Sequence, residues 1–458
     1  MKTKKKIDMT QGAIMKLVVL FALPICAGNI LQQLYNTVDT MVVGRFCGST
    51  SLAAVGTSAQ PVEMLLCIFL GLGTGVSILV SQNTGKGDME QVKRIMSTAT
   101  SFLYLCGIPV TILGVILGPL LLKMMQVPED AFSYAVAYLR IVFLGTLGNI
   151  GYNMNAGILR GVGDSSASLL FLFISCLINI VLDLVFVVGL GMDVTGAALA
   201  TTLAIFSSWF FSIAYIRQKY PELDFHFLPK QFDKTILKNI ISVGLPLGLN
   251  NSIYSIGHIL MQSLINMQGS TFIAACSVAT KLTGISNVAI NSFSSAATTF
   301  AGQNLGAQNY VRLKKGSLRI PLFSGLVTCM AGLFFTSVSR PVLSIFTEDA
   351  AVLDMAVHYI SIVLPFTWLY AVFNGIICFV NGIGEVRYPT VVNILMLWAV
   401  RIPVGYAIAW FIDGTYLMAA IPISFAFGMT CMLAFYGTKK WKEILKLADL
   451  QAKKAQTN

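Results

Sequence analysis

The sequence predicts an all-α membrane protein of twelve transmembrane helices, arranged as two six-helix lobes related by a pseudo-two-fold along the membrane normal. Three observations predict it. Apolar stretches of about twenty residues recur from end to end. Basic residues gather on one side of those stretches. The second half repeats motifs of the first in one register. Of the 458 residues, 56% are hydrophobic and 11% charged, whereas soluble domains carry about a quarter charged residues. So little charge cannot clothe a soluble surface, so lipid must cover the chain. The apolar runs are continuous rather than alternating, which selects helices over barrel strands.

With Met1 inside, the spans fall near 14–43, 52–80, 95–120, 131–156, 166–190 and 194–216 in the first copy. The second copy has 236–266, 273–301, 317–338, 353–378, 388–411 and 415–437. The first run follows Lys4-Lys5-Lys6 but continues into Gln32-Gln33-Leu34-Tyr35-Asn36 without a small-residue cleavage site, so it reads as a retained helix. Inside segments and inner span ends then hold 25 of the 31 basic residues. Arg45, Lys123 and Arg340 lie outside, and Arg140, Lys281 and Arg401 lie within spans. This bias places both termini in the cytoplasm, at a cell (inner) membrane. The net charge of +11 is thus explained by topology, without nucleic acid as a partner.

The copies align at an offset of 221. Gly48-Ser49-Thr50 recurs as Gly269-Ser270-Thr271, and Gln82-Asn83-Thr84-Gly85 as Gln303-Asn304-Leu305-Gly306. Arg160-Gly161-Val162-Gly163-Asp164 recurs as Asn381-Gly382-Ile383-Gly384-Glu385. Near the start the offset is 222, where Leu23-Pro24 matches Leu245-Pro246. An even number of spans per copy makes the repeats parallel, with a substrate path between them. The division is 1–216 for the N-terminal lobe, 217–235 for a cytoplasmic linker, 236–438 for the C-terminal lobe and 439–458 for an amphipathic tail. In the tail, Trp441, Ile444, Leu445 and Ala448 share a face amid lysines, which reads as an interfacial helix on anionic lipid.

Acids inside spans are the sharpest chemical signal, because a buried charge in lipid is costly. They are Asp39, Glu63 and Asp183, all in the first copy. Asp39 and Asp183 lie roughly 8–11 Å below the outer ends of their spans. Tyr35 and Asp39 share a helix face, as do Asn179 and Asp183, and Thr201 lies at a similar depth. Such a layer of oxygens suits Na⁺ at Asp39, Asn179, Asp183 and Thr201. Equally, two close carboxylates suit a stored proton. Candidate cavity residues are Gln33, Asn36, Glu63, Asn155, His258 and Met261. Glu63 either lines the cavity or pairs with Lys281 or Arg140. His258 reads as a hydrogen-bonded core histidine or a cavity residue, and Arg401 as a partner of a polar group. Pro24 and Pro246 are candidate hinges or static kinks.

Nothing in the sequence looks enzymatic. There is no phosphate loop, no nucleophile elbow and no His or Cys spacing for a metal, and no cofactor is expected beyond the coupling ion. The nine cysteines read as small buried apolar residues.

Gln32-Gln33-Leu34-Tyr35-Asn36-Thr37-Val38-Asp39 leading to Val43-Gly44-Arg45, the paired Gln-Asn-x-Gly loops and Leu159-Arg160-Gly161-Val162-Gly163-Asp164 resemble the landmarks of the multidrug and toxic compound extrusion (MATE) family. The resemblance spans roughly 14–440. It implies a V-shaped pair of lobes, working as a monomer, that exports organic cations or amphipathic drugs against inward H⁺ or Na⁺ flow. It also implies that Asp39 and Asp183 are coupling acids with Asn179 and Thr201 as cation ligands. A branch of the family has acids in the seventh and tenth helices; here those spans offer His258, Met261, Gln262, Trp368 and Asn374 instead. Lipid-linked glycan flippases of the wider superfamily are the alternative. They call for a basic cavity, and the acids within these spans speak against one.

Overall fold

A computed structural model of the chain describes residues 6–125, 127, 129–227 and 231–457, without the side chains of residues 49, 50, 52, 53, 59–61, 63–65, 130 and 455–457. Among the described residues the regular structure is entirely helical. The first copy forms α1 (Ile14–Phe46), α2 (Gly48–Lys86), α3 (Met89–Met124), α4 (Glu129–Gly161), α5 (Ser165–Gly189) and α6 (Asp193–Lys219). The second forms α7 (Lys234–Asn266), α8 (Ser270–Gly306), α9 (Tyr310–Ser337), α10 (Ala350–Gly382), α11 (Arg387–Phe411) and α12 (Gly414–Gly437). The tail is α13 (Lys439–Thr457). Eleven of these helices are long and apolar enough to cross a membrane. The remaining one of the twelve expected, α7, has the length at 33 residues, but Asn250, Asn251, Ser252 and Ser255 dilute its middle.

The repeated motifs are the turns that re-aim the chain. Gly48 and Gly269, 221 apart, both take positive φ (87° and 92°), as do Gly163 and Gly384 (98° and 82°), a conformation open to residues without a Cβ. Asp88 and Asn309, again 221 apart, cap α3 and α9 by accepting from the Gln91 and Arg312 amides. Helix ends leave backbone donors without intrahelical partners, and a side-chain oxygen at the cap satisfies one of them.

The chain packs as two compact units. One is Leu23–Leu249 with the residues before Asp8; the other is Asp8–Ala22 with Asn250–Asn458. The seam therefore runs through α1 between Ala22 and Leu23, one residue before Pro24, and through α7 between Leu249 and Asn250, shortly after Pro246. In the first unit, the opening half of α7 lies against α2 at a crossing of four glycines. A Cβ on Gly71 would meet the Gly248 nitrogen at 2.1 Å, and one on Gly75 would meet the Gly244 Cα at 2.8 Å. Both helices present a small-xxx-small pair, the device that lets membrane helices touch backbone to backbone.

The linker 217–235 is not a loose polar strap. Leu223 and Phe225 are buried in the core of the first unit, and Arg217 donates to the Phe225 carbonyl at 3.1 Å. Lys93 pairs with Asp224 at 3.1 Å. In the second unit, the segment leading into α1 is held in the same spirit. Met9 is fully buried; its amide donates to Gln303 and its carbonyl accepts from Asn304 and Arg312.

The tail departs from its sequence reading. Trp441, Ile444 and Ala448 are buried against protein rather than offered to lipid. Trp441 meets the rings of Tyr436 at 5.2 Å and Phe379 at 6.2 Å, and Lys440 pairs with Glu385 at 3.0 Å. Aromatic rings on α10 and α12 offer that face a better-packed partner than headgroups do. Leu447 and Leu450 remain exposed on the outer side of the tail.

Candidate ion-coupling site and its cavity

Four helices of the first unit build the acid cluster. Tyr35 and Asp39 lie one turn apart on α1, Asn179 and Asp183 one turn apart on α5, Thr201 on α6 and Tyr138 on α4. Asn179 and Asp183 are fully buried. The Asn179 amide donates to the Thr201 hydroxyl at 3.4 Å, and Tyr35 also hydrogen-bonds with Thr201. The two carboxylates lie close enough for the charge of Asp39 to act on Asp183. Tyr138, which the sequence reading did not single out, lies within the same electrostatic neighbourhood.

The balance of donors and acceptors is lopsided. Both carboxylate oxygens of Asp183, Oδ1 of Asp39 and the amide oxygen of Asn179 are buried without a hydrogen-bond partner among the described residues. Four clustered acceptor oxygens without donors are costly. A proton or a hard cation relieves that cost, and carboxylate, amide and hydroxyl oxygens are the ligands a hard cation takes. The residues fit either ion as a passing substrate. Directly after Asp183, α5 changes to a wider π segment over Leu184–Gly189, an irregularity common at functional sites.

Beside the acids the first unit holds a partly open cavity of about 580 Å³, the size range of small-molecule sites. Tyr35 and Thr201 belong both to its wall and to the acid cluster. Leu66, Leu70, Leu169 and Leu172 are among its apolar lining, and Asn149 and Asn153 among its polar lining.

Of the expected cavity residues, Asn36 lines this space, and Gln32 lines it where Gln33 was expected. Asn155 is buried and donates to Ser212 at 2.8 Å, a helix-bridging role rather than a lining one. In the second unit Met261 is packed in the core. His258 is exposed, its ring edge-on to Tyr254 at 4.9 Å, and is therefore not the buried core histidine expected. The Glu63 side chain lies outside the described residues. Pro24 lines the cavity, while Pro246 lies within α7. Arg401 partners polar groups as expected, donating to Ser424 at 2.9 Å and Tyr254 at 3.0 Å, over the Phe425 ring.

A family profile, MatE, matches residues 24–185 and again 246–407, covering most of both copies. The chain belongs to the MatE family. It is therefore a multi-pass membrane transporter of that family, and its two matched segments coincide with the two copies of the repeat. Among curated relatives, it is 27% identical over 457 residues to "Probable multidrug resistance protein YoeA" of Bacillus subtilis strain 168, with 96% of each chain covered. It is 26% identical over 442 residues to "Probable multidrug resistance protein YpnP" of the same organism, covering 96% of this chain and 98% of that one. Among solved structures, it resembles the outward-facing conformation of a multidrug resistance MATE family transporter with a TM-score of 0.85 and 25% identity, covering 97% of this chain and 100% of that one.

Proposed function

We propose that this MatE-family chain is a cation-coupled antiporter that exports organic cations or amphipathic drugs in exchange for H⁺ or Na⁺. The observation that carries this reading is the group of unmatched oxygens on Asp39, Asn179 and Asp183. An incoming proton or Na⁺ satisfies them and draws α1, α5 and α6 together. Its departure leaves like charges that push the helices apart. Pro24 removes one backbone hydrogen bond within α1 and lets the part carrying Asp39 bend on its own. The names of the curated relatives support a drug-sized cargo. The chain acts as a monomer in the cell membrane with both termini in the cytoplasm, in accord with its basic residues.

The test is dye efflux from cells carrying Asp39→Asn or Asp183→Asn, with membrane levels checked in parallel. Each substitution is expected to abolish efflux at normal membrane abundance; normal efflux in both sinks the coupling role. Vesicles given only a pH gradient or only a Na⁺ gradient then identify the ion.

A further inference from the structure

Arg401 lies 14 residues past the start of α11 and 10 before its end, about 15 Å below the outer end. It is 4% exposed, so a fixed positive charge is buried deep within the second unit. Such a charge is costly unless it is paired. Nε donates to Ser424 at 2.9 Å and Nη1 to Tyr254 at 3.0 Å. The rings of Phe425 and Tyr254 lie 4.8 Å and 5.9 Å from the guanidinium carbon, which gives the cation aromatic neighbours. Nη2 is buried and has no acceptor among the described residues. None of these partners is an anion. Arg401 forms no ion pair among the described residues, and the spans of the second copy hold no carboxylate away from their ends. Asp354, near the start of α10, is taken by Arg340 at 2.8 Å.

The duplication gives this feature a counterpart. Helices α5 and α11 are both 25 residues long, and Asn179 and Arg401 are each the fifteenth residue of their helix. Tyr254 lies on α7 and Ser424 on α12, the second-copy equivalents of α1 and α6. The three helices that gather unmatched acceptors in the first unit therefore gather an unmatched donor, on a cation, in the second. A π segment over Met396–Arg401 ends on this residue, as one begins directly after Asp183.

We propose that the second unit binds a halide-sized monovalent anion, such as chloride, on Nη2 of Arg401 beside Tyr254. The Tyr254 oxygen accepts from Arg401, which leaves its own proton to donate to the same ion. Nε and Nη1 are already engaged, and each two-pronged grip of an Arg on a carboxylate uses one of them. The remaining nitrogen suits a single spherical acceptor. Nη2 is covered in this structure, so the ion enters as the Tyr254 side chain turns aside. That ring is half-buried and stands edge-on to the exposed His258 at 4.9 Å. Binding converts a lone buried charge into a pair and does not depend on the cation coupling proposed above.

The test is thermal unfolding of the full chain in detergent, with sodium gluconate replaced stepwise by sodium chloride at constant ionic strength. Chloride is expected to raise the melting temperature of the unaltered protein saturably, by about 2–4 °C. Arg401→Gln is expected to melt at one temperature in both salts. Tyr254→Phe is expected to need about three- to tenfold more chloride for half the shift. Crystals grown with bromide should show an anomalous peak in contact with Nη2. If Arg401→Gln does not fold, Tyr254→Phe and the bromide peak still decide. Identical melting of the unaltered protein in the two salts, a full chloride response in Arg401→Gln, or no bromide at Arg401 overturns the proposal. Asp39→Asn is expected to keep the full chloride response, whatever it does to efflux.

Discussion

The side-chain amide of Asn179 donates to the Thr201 hydroxyl at 3.4 Å, while the amide's own oxygen has no donor among the described residues. The bond is long and single, so it orients Asn179 without holding it fast. Thr201→Val removes the acceptor and one oxygen from the cluster. It is expected to shift the apparent dependence of efflux on the driving ion by about two- to tenfold, with maximal efflux little changed. Efflux measured against external Na⁺ and against pH checks this; no shift in either removes Thr201 from the ligand set.

The glycine crossing of α2 and α7 predicts a steep size dependence. Gly71→Leu or Gly248→Leu forces backbone against backbone and is expected to destabilise the first unit by at least about 1–3 kcal/mol. A lower melting temperature in detergent and poorer recovery of monodisperse protein are the readouts. A Cβ on Gly284 would meet nothing within 4 Å, so Gly284→Ala serves as the control and leaves the melting temperature unchanged.

Trp441 is the keystone of the tail's packing, buried among the rings of α10 and α12. Trp441→Ala is expected to cost about 3–5 kcal/mol locally and to release α13. Faster amide exchange over 439–457, with α10 still protected, is the expected pattern. An unchanged tail would mean that Lys440–Glu385, Lys314–Asp449 and the hydrogen bonds of Gln451 with Tyr310 and Gln308 hold it without the tryptophan.

Asp224 in the inter-copy linker is held below the usual carboxylate range, first by its hydrogen bond with Lys93, and Lys93 is correspondingly raised by the same bond. A carboxylate depressed on folding contributes stability that is complete above its unfolded value of about 3.9 and is lost as pH falls through the lower folded value. Protease cleavage within 217–235 is therefore expected to stay level from pH 8 to about 5 and to climb only below about 4. The pair is solvent-exposed, so Asp224→Asn should raise cleavage at neutral pH only a few-fold.

Much of this was legible in the sequence because membranes impose simple rules. Span positions followed from apolar length and the sidedness of lysine and arginine. The two copies were visible through Gly48 and Gly269 or Gly163 and Gly384, whose positive φ tolerates few replacements. Depth counting along α1, α5 and α6 set Tyr35, Asp39, Asn179, Asp183 and Thr201 at one level, and the Asn179 amide does reach the Thr201 hydroxyl. Tyr138 was not legible, since a lone tyrosine in a span carries no spacing signal. The GxxxG pairs at Gly71 and Gly244 were there to be seen, but which helix each would meet depends on three-dimensional packing. Asn155 and Gln33 were misplaced because helix rotation, a matter of about 100° per residue, decides whether a residue faces a cavity or a neighbour.

The seam of packing and the seam of duplication do not coincide. The duplication falls in the linker, yet the first unit is finished only by residues up to Leu249, and the second begins with Asp8–Ala22. Neither copy of the repeat contains all the chain it packs with. On the ribosome, the first six helices must wait for the opening half of α7 before their unit closes, while Asp8–Ala22, made first, waits for α8 and α9 to supply Gln303, Asn304 and Arg312.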